Sequence, residues 1–164
     1  MKINLILAII FFIPVFAFNQ DIPIINASEL NLITGVKWIG SLTYLDYGSN
    51  KNVSIPVELS ISQSSEDTSV FIFNYEYTKE PDANGYDTVK ISSDGKFLNN
   101  EEIVFKSSGN TLKIITEELG EDDDRNAKFR HTYLINNSSF TLKKEVRFSD
   151  GEEFIIRNEY KFER

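Results

Sequence analysis

The sequence predicts an all-β chain folded as an up-and-down antiparallel β-barrel of about eight to ten strands. Three observations predict it. From residue 36 onward, apolar and polar residues alternate with a period of two. Turn pairs punctuate the alternation at Asn84-Gly85, Asp94-Gly95 and Asp150-Gly151, with Ser108-Gly109-Asn110 as a further turn. No βαβ rhythm, repeat of fixed period or low-complexity linker interrupts it, and no helix is long enough for a parallel crossover.

The chain opens with Lys2 and then an apolar run from Leu5 to Phe18, broken by Pro14. Val15 and Ala17 give small-residue geometry for cleavage after Ala17. Residues 1–17 therefore read as a cleavable signal peptide, and the mature protein is expected to be secreted or periplasmic. A permanent anchor needs about 20 apolar residues, and Pro14 interrupts the run well short of that. Residues 18–35 form a lead-in. In it, Ser28 is expected to cap a short helical turn over Glu29 to Ile33 that Gly35 closes.

The strands follow. Over 36–47, Val36, Trp38, Gly40, Leu42 and Tyr44 share one face. Over 52–62, Val53, Ile55, Val57, Leu59 and Ile61 do the same, with Pro56 on the polar face marking a bulge or an unpaired stretch. Residues 69–77 align Phe71, Phe73, Tyr75 and Tyr77, with Val70 and Ile72 behind them, so the lead-in is expected to cover the second face. Short strands are expected near 86–92, 96–98, 102–106 and 111–117. Three longer ones close the chain. They align Phe129, His131, Tyr133 and Ile135, then Phe140, Leu142, Lys144, Val146 and Phe148, then Phe154, Ile156, Asn158, Tyr160 and Phe162.

A meander of this many strands removes its edges by closing, which favours a barrel over an open β-sandwich. An outer-membrane barrel shares the alternation. The aromatics here run the length of strands 69–77 and 153–163 instead of forming two girdles, and Arg164 ends the chain, so the apolar face is read as the interior.

Composition narrows the function classes. The chain has 164 residues, no cysteine and a formal net charge of −8. Loss of the first 17 residues leaves 147, one domain with room for a proper core. Without cysteine there are no disulfides, thiol catalysis, lipid-modified cysteine or cysteine zinc sites. With a pI near 4.7 the chain suits neither nucleic acid nor an anionic membrane surface. Aromatic residues make up 13%, apolar payload that must be buried or face a ligand.

The segment Leu32-Ile33-Thr34-Gly35-Val36-Lys37-Trp38 carries a resemblance. A short turn runs into a glycine, and a tryptophan opens the first strand. The chain resembles the lipocalin-like (calycin) barrels across roughly 28–164, with two residues between glycine and tryptophan where that family has one. The resemblance implies a small, largely apolar ligand in the barrel mouth. It also implies a basic residue over the tryptophan. Arg164 shares parity with Tyr160 and Phe162, and is expected within about 6 Å of Trp38 as a cation–π lid.

The candidate ligand-binding residues are Trp38, Tyr44, Phe73, Tyr75, His131, Tyr133 and Tyr160, from an aromatic face that also includes Phe71 and Phe129. The same rings can instead fill the barrel as core. His131, the single histidine, is either a hydrogen-bonded interior group or a ligand contact. The acidic run from Glu117 to Asp124 is expected to be a solvated connection between strands, with calcium binding as the sharper alternative. There is no G-x-S-x-G, H-E-x-x-H or phosphate loop. No catalysis and no cofactor are expected. The second functional reading is a protein-interaction or structural module of the cell envelope with a filled core.

Overall fold

The computed structural model of the chain describes residues 22–164. The expected leader and its cleavage site lie outside the described residues. Ten strands form one antiparallel sheet. They are β1 (Lys37–Asp46), β2 (Lys51–Gln63), β3 (Val70–Glu76), β4 (Gly85–Lys90), β5 (Phe97–Leu98), β6 (Glu101–Ser107), β7 (Leu112–Asp122), β8 (Arg125–Ile135), β9 (Ser139–Phe148) and β10 (Ile155–Glu163). The last strand returns to pair with the first, Ile39 opposite Glu163 through Tyr44 opposite Asn158. The result is a nearly closed up-and-down barrel, as the alternation predicts.

Closure between β1 and β10 depends on Gly40. A Cβ at that position would overlap the Lys161 carbonyl and lie 2.8 Å from the Phe162 ring. With hydrogen there instead, Phe162 packs across the junction at 2% exposure.

The opposite seam is looser. β4 and β5 meet through a single bridge, Ile91 to Leu98. Asn99 extends it. Its backbone N–H donates to the Lys90 carbonyl at 2.9 Å. Its side-chain amide donates to the Thr88 carbonyl at 2.8 Å and accepts from the Lys90 N–H at 2.7 Å. One side-chain amide thus does what a paired peptide group would do. Asn99 and Asn100 both adopt positive φ in the two-residue β5–β6 turn, a conformation asparagine tolerates well.

One end of the barrel is plugged. Helix α1 (Ala27–Leu30) and a 3₁₀ turn (Asn31–Ile33) place Ile25, Leu30 and Ile33 in the core with Trp38, Leu59, Ile61, Phe71, Phe73, Phe140 and Phe162. The indole N–H of Trp38 donates to the Ile33 carbonyl at 2.9 Å, tying plug to barrel. Phe140 meets Trp38 edge-on at 6.3 Å and stacks on Phe162 at 5.9 Å. The Arg164 guanidinium lies 5.4 Å from the Trp38 ring, inside the expected range. Two expectations about the lead-in are corrected. Ser28 lies within the helix and does not cap it. Asn26 is the N-cap residue, and its N–H donates to the Glu29 carboxylate at 3.0 Å. The lead-in fills the barrel end, and Val70 and Ile72 keep partial exposure.

Other boundaries shift for local reasons. Pro56 sits in an unbroken strand opposite Ser41, beyond the end of the β2–β3 ladder at Glu58, where its missing N–H costs no bond to β3. The turn expected at Asn84-Gly85 lies at Pro81–Ala83, because the Asn84 side chain accepts the Tyr77 N–H at 2.6 Å and ends β3. The acidic run is not a connection. Glu117 to Asp122 continue β7, and Asp123-Asp124 alone make the turn, both at positive φ. Facing basic residues permit this. Glu117 pairs with Lys128 and, at 2.6 Å, with Arg130. Asp122 accepts a hydrogen bond from the Tyr47 hydroxyl at 2.8 Å and lies 3.7 Å from Arg157.

Three outcomes follow for stability. Trp38→Ala should cost about 3–5 kcal/mol in urea unfolding, the range for emptying a large aromatic site. Gly40→Ala should cost about 1–3 kcal/mol and speed amide exchange in β1 and β10 together, since the clash falls on their junction. Burial raises the Glu117 carboxyl, but hydrogen bonds and charge from Lys128 and Arg130 outweigh it and leave the group below its ordinary 4.5. Its contribution is therefore present above pH 4.5 and lost as pH falls below it. Glu117→Gln should flatten the acid limb of the stability profile and leave the alkaline limb unchanged.

Candidate functional site

Inward-facing residues change character along the barrel. At the plugged end Trp38, Leu59, Phe71, Phe73, Phe140 and Phe162 are 0–2% exposed. Two to six residues further along the same strands, Leu42, Tyr44, Val53, Ile55, Leu142, Lys144, Asn158 and Tyr160 keep the inward parity but are only half-buried. Strand alternation aims them all into the barrel, so their exposure comes from the open end.

Polar groups gather in this open half. Glu101, 9% exposed, accepts hydrogen bonds from the Thr116 hydroxyl and sits 2.8 Å from His131 Nδ1. That arrangement leaves Nε2 as the second functional nitrogen of the ring. Lys144, opposite His131 in the β8–β9 register, holds its ammonium 4.1 Å over the Phe129 ring. Gly120 gives Phe129 its place, because a Cβ there would lie 2.6 Å from the ring. Burial, then the Glu101 and Glu118 carboxylates, push the Tyr133 hydroxyl far up, so it stays a neutral O–H donor at ordinary pH.

Across the barrel, tyrosines form a second group. Tyr75 and Tyr160 approach at 5.2 Å, Tyr75 stacks with Tyr77 at 6.5 Å, and the Tyr77 and Tyr160 hydroxyls share a 2.8 Å hydrogen bond. Burial raises Tyr160 first, and its bond to Tyr77 adds to it. Among the described residues no fully buried side-chain nitrogen or oxygen lacks a partner.

The seven candidates divide between the two halves. Trp38 and Phe73 stand in the filled half and make core contacts. Tyr75 and Tyr133, each 6% exposed, belong to that same buried cluster, while Tyr44, His131 and Tyr160 face the open half. Sequence reasoning missed Glu101, Thr116 and Glu118, whose polar identity hid their period-two parity with apolar neighbours. Lys144 and Asn158 were aligned with the inward apolar residues but not named as site candidates. Surface depressions border other parts of the wall. One of about 720 Å³ adjoins α1, Ser108–Leu112 and Ile135–Ser138. Another of about 610 Å³ lies at the rim beside Leu119, Lys128, Arg147 and Phe148. Among the described residues, no three His, Asp or Glu side chains converge as a metal site.

Glu101→Ala should cost about 1–3 kcal/mol, because it strips a partner from buried Thr116 and another from part-buried His131. In ¹⁵N spectra of the intact protein, neutral His131 should carry its proton on Nδ1, and Glu101→Ala should abolish that preference. No protein-family model matches the chain, and no curated protein sequence matches it.

Proposed function

We propose that this protein binds a small, largely apolar molecule in the open half of its barrel, with no catalytic step. The observation that carries the reading is the half-exposure of inward apolar residues Leu42, Tyr44, Val53 and Ile55, on the strands that bury Trp38, Val57, Leu59 and Ile61. An apolar inner wall that water reaches gains free energy when a ligand covers it, about 25 cal/mol for each Å² buried. The inward Tyr133 hydroxyl, His131 and Lys144 offer a few hydrogen-bonding groups, the usual complement of an otherwise apolar site.

The outer wall supports a water-facing barrel. Its strands carry the ion pairs Lys37–Glu58, Glu117–Arg130, Lys143–Glu145 and Lys161–Glu159. Export through the N-terminal leader completes the reading, and places the binding step outside the cytoplasm.

Native mass spectrometry of protein purified from its own host tests this. A small-molecule mass should accompany the folded chain and vanish on acid unfolding. Tyr44→Ala and Leu42→Trp should each reduce its occupancy in protein whose circular dichroism shows it folded. A bare chain that also binds no apolar fluorescent probe would sink the reading.

A further inference from the structure

The barrel wall is incomplete on one side, and that opening has a chemistry of its own. β4 lies beside β3, with Gly85 opposite Tyr75 and Asp87 opposite Phe73. Paired residues share a face, so Gly85 and Asp87 point inward with Tyr75 and Phe73. Phe73 is 1% exposed, yet Asp87 is exposed. The reason is the seam. Beyond β4 the chain supplies one bridge at Ile91 and the Asn99 amide at Thr88 and Lys90, and the described residues place no strand alongside Gly85 to Asp87.

Opposite Gly85 stands Tyr75, 6% exposed and the buried member of an aromatic group. Tyr75, Tyr77 and Tyr160 form a contiguous group. Gly85 leaves room beside Tyr75, since a Cβ there would meet only the Ala83 carbonyl at 4.0 Å. Asp87 stands one strand pair away, and its carboxylate raises both the Tyr75 and Tyr160 hydroxyls after burial has done so. Asp87 forms no ion pair among the described residues, so its charge is available to a ligand.

We propose that the open seam beside β4 is a binding site for an organic ammonium, held by the Asp87 carboxylate and by the partly exposed rings of Tyr77 and Tyr160. The inference rests on the barrel-binding reading and adds the charge of the ligand. Ring faces attract cations through their quadrupoles, and the attraction grows when the cation is partly desolvated. A carboxylate beside the rings supplies the counter-charge, and Gly85 the room. The net charge of −8 draws cations and repels anions.

Calorimetric titration of the full chain with phenethylamine, 2-phenylethanol and phenylacetate tests the idea. The three share an arene and differ in charge. Phenethylamine should bind at least about tenfold more tightly than 2-phenylethanol, and phenylacetate should bind weakest. Asp87→Asn should remove the preference for the amine with no change in melting temperature, because Asp87 is exposed. Gly85→Val should block amine and alcohol alike. Equal binding of amine and alcohol, or an amine preference that survives Asp87→Asn, overturns the ammonium site and leaves barrel binding standing. No binding of any of the three, with no uptake of an apolar dye, overturns both.

Discussion

One missing Cβ holds this barrel shut. At Gly40 the first strand meets the last so closely that the Phe162 ring and the Lys161 carbonyl occupy the room of a side chain. The β1–β10 ladder is the longest-range pairing in the chain, and its loop-closure cost is correspondingly high. Phe162, buried by that approach, stacks on Phe140, which meets Trp38 edge-on. Trp38 in turn holds the plug through the Ile33 carbonyl and lies under Arg164. Closure, core and plug are thus one connected set of contacts, with no disulfide to share the work.

That concentration of packing at one end frees the other. The filled half holds the larger buried cluster, and the open half adds only the smaller one of Ala127, Phe129 and Val146. Polar groups are tolerable there because they are partnered or reach water. Glu101 satisfies His131 and Thr116, and Lys144 rests on Phe129. The loose β4–β5 seam fits the same division. It lies beside the tyrosine group, where Asp87 faces inward and remains exposed.

The barrel was legible because one face of each strand is buried, and burial of a single face writes a period of two into the residues. Arg164 over Trp38 was legible for the same reason, since parity and an even strand number bring the chain's last residue to its first strand. The acidic strand was not. Glu117 to Asp122 read as solvent-exposed, and what makes them a strand is the basic face of β8, which local pattern cannot pair with them. Asn99 escaped notice because its side chain mimics backbone, a role with no sequence signature. Asp87 and Glu101 were hidden by their charge. Their inward direction follows from strand register and, for Asp87, from a neighbour that the wall lacks.

The barrel is packed at its plugged end and, at the other, open to water along the inner face of β1 and β2. Fluorine NMR of protein labelled with 5-fluorotryptophan and 3-fluorotyrosine tests this most directly, with dissolved oxygen as the relaxation probe. Oxygen enters apolar space that water reaches and stays out of packed core. Strong relaxation enhancement is expected at Tyr44 and Tyr160 and almost none at Trp38. Tyrosines shielded as fully as Trp38 would mean a barrel filled throughout, and would contradict it.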